Sequence, residues 1–175
     1  MTLHGKFVVN EAKFSPLTIS GIGTFLAFSG NKQFRNKGGC VGVPDNGPLP
    51  PGKYWIVERP KGGLRTWLQN KVKEIPTWFT STPTHYDEWF ALYRDDGRID
   101  DYTWVSAVER GHFRLHPIGP MGVSRGCITL QHSSDFASIR SALLQTRREP
   151  IPNSNLMTYG TIEVFAYGKT CPQSN

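Results

Sequence analysis

A histidine and a cysteine that can cooperate in covalent catalysis lie close together in the stretch FRLHPIGPMGVSRGCITL. A thiolate can attack a carbonyl carbon, and a neighbouring imidazole can deprotonate the thiol and later protonate the leaving amine. Cys127 is therefore the candidate nucleophile, and His116 is the candidate general base and acid. This pairing predicts acyl transfer through a covalent intermediate.

The residues around this pair predict a strand, a turn and a nucleophile loop. Phe113 and Leu115 alternate with Arg114 and His116 at the period of a β-strand. The prolines and glycines that follow exclude a helix and force the chain to turn: Pro117, Gly119, Pro120 and Gly122. We expect this turn to bring residues 124–127 back beside the strand end that carries His116.

Gly126 has two predicted roles next to the nucleophile. A residue without a side chain lets a substrate backbone approach closely. The N–H groups around Gly126 and Cys127 are also expected to bind the oxyanion of a tetrahedral intermediate.

The chain resembles the L,D-transpeptidases in its His…Ser-x-Gly-Cys signature, and within them the branch known as effectors of bacterial type VI secretion. Four pieces carry the resemblance and together cover most of the chain: ISGIGTFLAFSGN, GPLPPGKYWIVERP, ERGHFRLHP and SRGCITL. Two positions depart from the broader family. That family usually has Gly after the histidine and Arg two residues beyond the cysteine, where this chain has Pro117 and Thr129.

The resemblance implies a fold, a substrate and a reaction. The fold would be mostly β, an L,D-transpeptidase-like β-sandwich with one main helix after the catalytic cysteine, in a single domain over residues 1–175. Cys127 would attack the third residue of a peptidoglycan tetrapeptide stem and expel the terminal D-alanine, which leaves a thioester. Water, a free D-amino acid or a second stem amine would then give L,D-carboxypeptidase, exchange or crosslinking activity. The effector branch is associated with the first two.

The resemblance also implies roles for residues beside the catalytic pair. Ser124 would order the loop or the imidazole, and Arg125 would attract the stem carboxylate. Because Thr129 replaces the usual arginine, Arg125 or Arg114 would have to supply that contact. No metal and no organic cofactor are implied.

The N-terminal sequence bears on where such an enzyme would act. The stretch MTLHGKFVVNEAKF has no uninterrupted apolar core of signal-peptide length, and no later segment approaches the length of a membrane span. We expect synthesis in the bacterial cytoplasm without a secretory signal, no membrane insertion, and action in the periplasm of a target cell. The secretion machinery and a cognate immunity protein would then be partners.

Composition favours a mostly β domain and disfavours nucleic acid as a partner. The 175 residues are 38% hydrophobic and include 18 Gly and 13 Pro, which excludes disorder and favours many short strands and turns. A net charge of +6 would attract a polyanion. Because the basic residues are scattered, without a run or an RNA-binding aromatic signature, an anionic cell wall fits better than a nucleic acid.

Cys40 and Cys171 form an even pair once Cys127 is assigned to catalysis. They would form a disulfide if the protein works outside the cytoplasm, and they would otherwise remain ordinary free thiols. Both alternatives stay open, because the separation of the two Cα atoms decides the matter.

Hydrophobic alternation predicts the remaining elements. Residues 6–14 and 17–28 are expected to be paired strands with breaks at Pro16 and at residues 21–23, and residues 54–58 and 159–167 are further strands. Residues 30–51 form a long ordered loop, which the resemblance makes a wall of the substrate cleft. Apolar residues at helical spacing predict a helix over residues 133–147. Residues 64–72 fit either a short helix or a strand.

Asp95-Asp96-Gly97 predicts a hairpin between residues 88–94 and 99–105. Four carboxylates lie around this turn, on Asp95, Asp96, Asp100 and Asp101. They are interpreted as turn caps and not as metal ligands, because a calcium loop needs a longer ligand spacing that ends in Glu.

Other assignments of the site remain as alternatives. His112 and His132 are backup bases, and zinc bound by histidines with Cys127 is disfavoured because the Glu of a helical metalloprotease motif is absent. A papain-like cysteine hydrolase usually places its cysteine before its histidine, so only His132 would serve it. An inactive cell-wall-binding module that kept the fold is the remaining alternative.

Overall fold

The structure is a computed structural model that describes residues 2–59 and 86–172. In these residues it contains eleven strands: β1 (Leu3–Val9), β2 (Ser15–Ile19), β3 (Gly23–Phe28), β4 (Gly52–Glu58), β5 (Phe90–Arg94), β6 (Tyr102–Val105), β7 (Val108–Gly111), β8 (Arg114–Pro117), β9 (Ile128–Leu130), β10 (Glu149–Pro150) and β11 (Met157–Ala166). It also contains one α-helix, α1 (Ser133–Gln145).

Eight of these strands close into a barrel. Their order is β1-β2-β3-β9-β8-β5-β4-β11, and β11 pairs in parallel with β1 to complete the circle. β8 and β9 are also parallel neighbours. Closure leaves no unpaired edge among the eight strands. The mostly β class and the helix after Cys127 are confirmed, whereas the sandwich layout implied by the resemblance is not confirmed.

The core fills the inside of the barrel with one set of alternating side chains from each strand. Its fully buried members include Phe7, Leu17, Ile56, Leu115 and Ile162. The helix α1 adds buried apolar side chains to the same core: Phe136, Ile139 and Leu143. The barrel and helix therefore give a rigid support to β8 and β9, where the catalytic pair is predicted.

Most predicted strands are present, but their bounds differ near the N-terminus. The strand predicted over residues 6–14 is β1, which ends at Val9. Residues 17–28 belong to β2 and β3, which turn at Gly21 with φ +78°, inside the predicted break at residues 21–23. Pro16 lies inside β2, opposite Leu26 of β3, and does not break the strand. Proline is tolerated there because β1 pairs only with residues 17–19 of β2, so the missing N–H of Pro16 has no partner on β1 to lose.

The predicted hairpin across Asp95-Asp96-Gly97 is wrong. β5 pairs with β4 and β8 inside the barrel, while β6 pairs with β7 in a separate two-stranded sheet. The tight turn of that sheet carries Ser106 and Ala107 at φ +49° and +64°. Glycine or asparagine usually occupies such positions, so the sequence carries no recognisable signal for this turn.

The predicted long loop lies between β3 and β4 and contains two short 3-10 turns, Lys32–Phe34 and Gly38–Cys40. A disulfide joins Cys40 in this loop to Cys171, and the two Cα atoms are 5.0 Å apart. Residues 64–72, whose sequence fits either a short helix or a strand, lie outside the described residues. Over the described ranges, no helix has the length and apolar character that a membrane crossing requires.

Candidate active site

His116 lies on β8, Cys127 lies next to the neighbouring strand β9, and both side chains are on the same face of the sheet. Cys127 directly precedes β9, and the parallel register pairs Leu115 with Ile128 and His116 with Thr129. Side chains alternate along a strand, so Cys127 and Thr129 lie on the face that carries His116. The structure therefore brings the predicted nucleophile and the predicted base to adjoining positions on one surface.

Three neighbours fix the imidazole of His116. Nδ1 lies 2.7 Å from the carbonyl oxygen of Pro117, and since a carbonyl can only accept, Nδ1 carries the ring proton. Nε2 therefore has a lone pair, which accepts a hydrogen bond from Thr129 Oγ1 at 3.2 Å. The half-buried Trp89 stacks on the ring, with centroids 4.1 Å apart and 16° between the planes. The ring is held in the tautomer that a general base at Nε2 needs.

The Cys127 thiol is buried and bonded to backbone groups. Its Sγ lies 3.8 Å from the carbonyl oxygen of His112, to which the thiol donates. Burial raises the pKa of Cys127 to about 11, although the positive charges of Arg114 and Arg110 oppose the rise. Burial also lowers the pKa of His116 to about 4. At neutral pH the free site thus holds a thiol beside a neutral imidazole.

The nucleophile loop is closed by one internal hydrogen bond and one required glycine. Ser124 is buried and donates from Oγ to the carbonyl oxygen of Cys127 at 2.9 Å, so it orders the loop and not the imidazole. Gly126 has φ +89°, and a Cβ there would lie 2.8 Å from Arg110 Nη2 and 2.9 Å from the Phe113 ring. A side chain at position 126 would both strain the backbone and displace these neighbours.

Arg125, in the nucleophile loop, lines a cavity of about 380 Å³ whose lining includes neither Cys127 nor His116. The cavity is shared with Arg110, His112 and two residues of the long loop, Pro44 and Asp45. The loop therefore lines one wall of this cavity, which is where the predicted cleft wall would be. Because Arg125 is exposed, its guanidinium is accessible to an anionic ligand in the cavity.

Arg114 is not available for the substrate contact expected of it. It is only 2% exposed, and its two Nη atoms bind the two carboxylate oxygens of Asp101 at 2.6 and 2.7 Å. Burial would lower the pKa of Arg114, but the hydrogen bond and charge of Asp101 outweigh it and hold that pKa above its ordinary value. This corrects the assignment of Arg114 as a ligand of the stem carboxylate.

The two backup bases are placed very differently. His132 is exposed and stands at the N-terminus of α1, beyond the far end of β9 from Cys127. At a strand rise of about 3.3 Å per residue, roughly 16 Å separates the two Cα atoms, so His132 does not reach the thiol. His112 is close to Cys127, but its contact with Sγ is made by the backbone carbonyl, and its Nδ1 bonds Asp101 at 3.1 Å.

Sequence reasoning missed Arg110, which ties the long loop to the nucleophile loop. Arg110 is 4% exposed, and burial lowers its pKa. Its guanidinium donates to carbonyl oxygens of the long loop, on Val41, on Gly47 at 2.9 Å and on Pro48 at 3.4 Å. No spacing rule singles out one arginine among scattered basic residues, so only the fold shows that Arg110 lies beside Gly126.

Trp89, Asp101 and Thr129 were also not assigned to the site from the sequence. Their partners lie 11 to 27 residues away in the chain, beyond the range of a local pattern. In the parts of the chain that the structure describes, no three His, Cys, Asp or Glu side chains group closely enough to hold a metal ion.

Comparison with known proteins gives one family match. A family model described as the Tlde1 domain matches residues 23–154, about three quarters of the chain. The match includes both β8 and the nucleophile loop. No curated protein and no solved structure shows significant similarity to the chain.

Proposed function

The chain belongs to the Tlde1 domain family, and we propose that it is a cysteine-dependent, L,D-transpeptidase-type enzyme of the bacterial cell wall. The family match supports a type VI secretion effector domain that acts on the wall. In our proposal it removes or exchanges the terminal D-alanine of peptidoglycan tetrapeptide stems. The observation that carries this proposal is the fixed tautomer of His116 on the face that also holds Cys127.

The first half of the proposed reaction forms a thioester. Cys127 Sγ attacks the carbonyl carbon of the third stem residue, while its proton passes to His116 Nε2. The tetrahedral oxyanion is bound by the N–H groups around Gly126 and Cys127. The C–N bond to D-alanine then breaks, and the proton on Nε2 moves to the leaving amine. The products of this step are free D-alanine and the stem acyl group on Sγ.

The second half repeats these transfers with a new nucleophile. Water, activated by His116 Nε2, attacks the thioester carbonyl and returns a tripeptide stem and the Cys127 thiol. A free D-amino acid attacks through its amine in the same way and gives an exchanged stem. Hydrolysis shortens the tetrapeptide donors that crosslinking needs, and exchange alters their terminal residue.

The neutral state of both groups in the free protein bears on how the reaction begins. The S–H bond must leave the His112 carbonyl and turn toward Nε2, and Nε2 must release the Thr129 hydroxyl. We infer that substrate in the cavity drives this exchange. Once Nε2 is protonated, the stacked Trp89 ring favours the imidazolium through its π face.

The remaining parts of the proposal concern binding and location. Arg125 binds the anionic end of the stem, because it is exposed in the cavity and its planar fork suits a carboxylate. The protein is made in the bacterial cytoplasm and acts in the periplasm of a target cell. A dedicated immunity protein would protect the producer by covering this cavity.

Mass spectrometry of purified tetrapeptide muropeptides tests the proposal. We expect the protein to release D-alanine, and to give the exchanged stem when another D-amino acid is added. The Cys127→Ala variant should fold normally but should catalyse neither reaction. Wall binding without turnover by the native protein would identify a binding module, and cleavage at another peptide bond would identify a different cysteine hydrolase. Either result would overturn the assignment.

A further inference from the structure

Asp101 differs from the other carboxylates in its segment. It lies directly before β6, between the barrel and the β6–β7 sheet, and its side chain is only 19% exposed. Asp100 beside it is more exposed, caps the Tyr102 N–H at 2.9 Å and pairs with Arg98 at 3.5 Å. The expected role as a turn cap thus holds for Asp100, whereas Asp101 faces inward.

Asp101 binds both residues that flank Phe113. Its carboxylate accepts two hydrogen bonds from Arg114, at 2.6 and 2.7 Å, and one from His112 Nδ1 at 3.1 Å. Its backbone carbonyl also accepts the N–H of His112 at 2.9 Å. A bidentate arginine pair fixes direction as well as distance, so these four bonds hold residues 112–114 in one orientation.

The backbone conformation of His112 requires the constraint that these hydrogen bonds supply. Its φ of +57° lies in the left-handed region, which few residues other than glycine adopt and which persists only where the surroundings impose it. Asp101 contacts His112 through both its side chain and its main chain. These contacts supply the constraint that keeps His112 in this conformation.

The two residues held by Asp101 are those whose backbones act on the sulfur. The carbonyl of His112 accepts a hydrogen bond from the Cys127 thiol at 3.8 Å, and the backbone of Arg114 acts on the same sulfur by lowering its pKa. The first contact orients the thiol, and the second favours the thiolate. The positions of the His112 and Arg114 backbones both depend on Asp101.

We propose that Asp101 is a positioning residue for the nucleophile: by holding His112 and Arg114, it fixes the backbone groups that act on Cys127 Sγ. The inference rests on the proposed function, because it takes Cys127 as the nucleophile. Three charges act on the thiol, from Arg114 on β8, from Asp101 and from Arg110 on β7. Burial is the main cause of the raised pKa of Cys127, and Asp101 adds to it by offsetting part of the charge of Arg114.

The test compares Asp101→Asn and Asp101→Glu with the matched control Asp100→Asn. Two measurements are made on each purified protein: kcat and KM for D-alanine release, and the rate of iodoacetamide alkylation of Cys127 against pH. Asp101→Asn should lower kcat by about 10- to 100-fold, with KM within about twofold, because a misplaced reacting group slows chemistry more than binding. Its alkylation midpoint should move to lower pH, because Arg114 loses its counter-charge.

Asp101→Glu separates position from charge. It keeps the carboxylate but moves it by one methylene, so kcat should fall while the alkylation midpoint stays near that of the native protein. Asp100→Asn should change neither measurement. If Asp101→Asn does not fold, Arg114→Lys replaces it, since lysine keeps the charge and loses the fork, and kcat should fall about tenfold.

The proposal is overturned if Asp101→Asn, or its replacement, has a kcat within twofold of that of Asp100→Asn. An alkylation profile of Asp101→Asn that coincides with the native one also overturns it. If the native protein releases no D-alanine, the proposed function fails, and the alkylation profiles still decide whether Asp101 governs the thiol.

Discussion

Thr129 Oγ1 lies 3.2 Å from His116 Nε2 and donates its proton to the lone pair that the general base would use. Thr129 stands where the broader family of L,D-transpeptidases usually has arginine. The hydroxyl therefore satisfies a buried nitrogen in the free protein, and in the proposed reaction it would leave Nε2 when Cys127 transfers its proton. The resemblance predicts a substrate contact at this position, whereas the structure shows Thr129 bonded to the proposed base.

Thr129→Val should destabilise the protein by about 1–3 kcal/mol, because it leaves the buried Nε2 of His116 without a partner. Urea denaturation measures the change. The matched control is Thr24→Val, since Thr24 bonds Thr18 on the surface at 2.9 Å and should cost less than about 0.5 kcal/mol. Equal losses of unfolding free energy in the two variants would show that the Thr129 hydrogen bond stabilises the protein no more than a surface hydrogen bond does.

Cys127→Ala should abolish release of D-alanine, because no other group can form the thioester. His116→Ala should lower kcat by ~10²–10⁴, the usual loss for a general base. His132→Ala is the control and should keep native kcat, since His132 is exposed at the start of α1. Muropeptide turnover measured by mass spectrometry decides, and loss of activity in His132→Ala would refute our choice of base.

The stability of the protein should fall in mild acid because of His116. Burial lowers its folded pKa to about 4 from an ordinary value of 6.5, so the unfolded chain binds more protons between these values. The free energy of unfolding therefore has its full value above pH 6.5, as far as His116 is concerned. It falls by roughly 3 kcal/mol in total as the pH decreases toward 4. Urea unfolding of the native protein and His116→Gln across this range should diverge by that amount, and parallel curves would contradict the burial of a neutral ring.

Arg125→Ala should raise KM for tetrapeptide stems and lower kcat/KM by about 10- to 100-fold, as expected for one charge-assisted hydrogen bond of ~1.5–3 kcal/mol. Arg125→Lys should lower kcat/KM less, because lysine keeps the positive charge but lacks the two parallel donors of the guanidinium. Arg147→Ala, an exposed arginine just beyond α1, controls for net charge. Unchanged kcat/KM in both Arg125 variants would show that Arg125 does not touch substrate.

Cys40→Ser and Cys171→Ser should each lower the free energy of unfolding by about 2–5 kcal/mol, as for other disulfides that close long loops. Treatment of the native protein with a reductant should give the same loss, and Cys127→Ser should not. Thermal melts with and without reductant measure this. A native melting temperature that does not respond to reductant would show that the bond adds no stability.

Local patterns predicted the parts of the site that lie close together in the chain. Alternation from Phe113 to His116 indicated β8, and the Gly-Pro turn indicated a return of residues 124–127 to its side, as the register of β8 and β9 shows. The same logic found β4, β11 and the long loop. In each case the signal is a pattern among neighbouring residues of the sequence.

The contacts that define the environment of the thiol could not be predicted in this way. Asp95, Asp96, Asp100 and Asp101 are chemically alike in the sequence, and only the turn of the β6–β7 sheet brings Asp101 to Arg114. That turn carries Ser106 and Ala107 at positive φ, although neither is a residue type that signals such a turn. Arg110 was hidden for the same reason.

The parallel pairing of β1 with β11 also constrains the order of folding. The ladder runs from Leu3 opposite Gly160 to Val9 opposite Ala166, so strands separated by nearly the whole described chain must meet. Contacts of such high sequence separation form slowly, because loop closure must precede them. Until β11 arrives, β1 and β4 each offer a free edge to other chains. Closure of the barrel is thus a late step in folding, and any transport that unfolds the chain requires it to happen a second time.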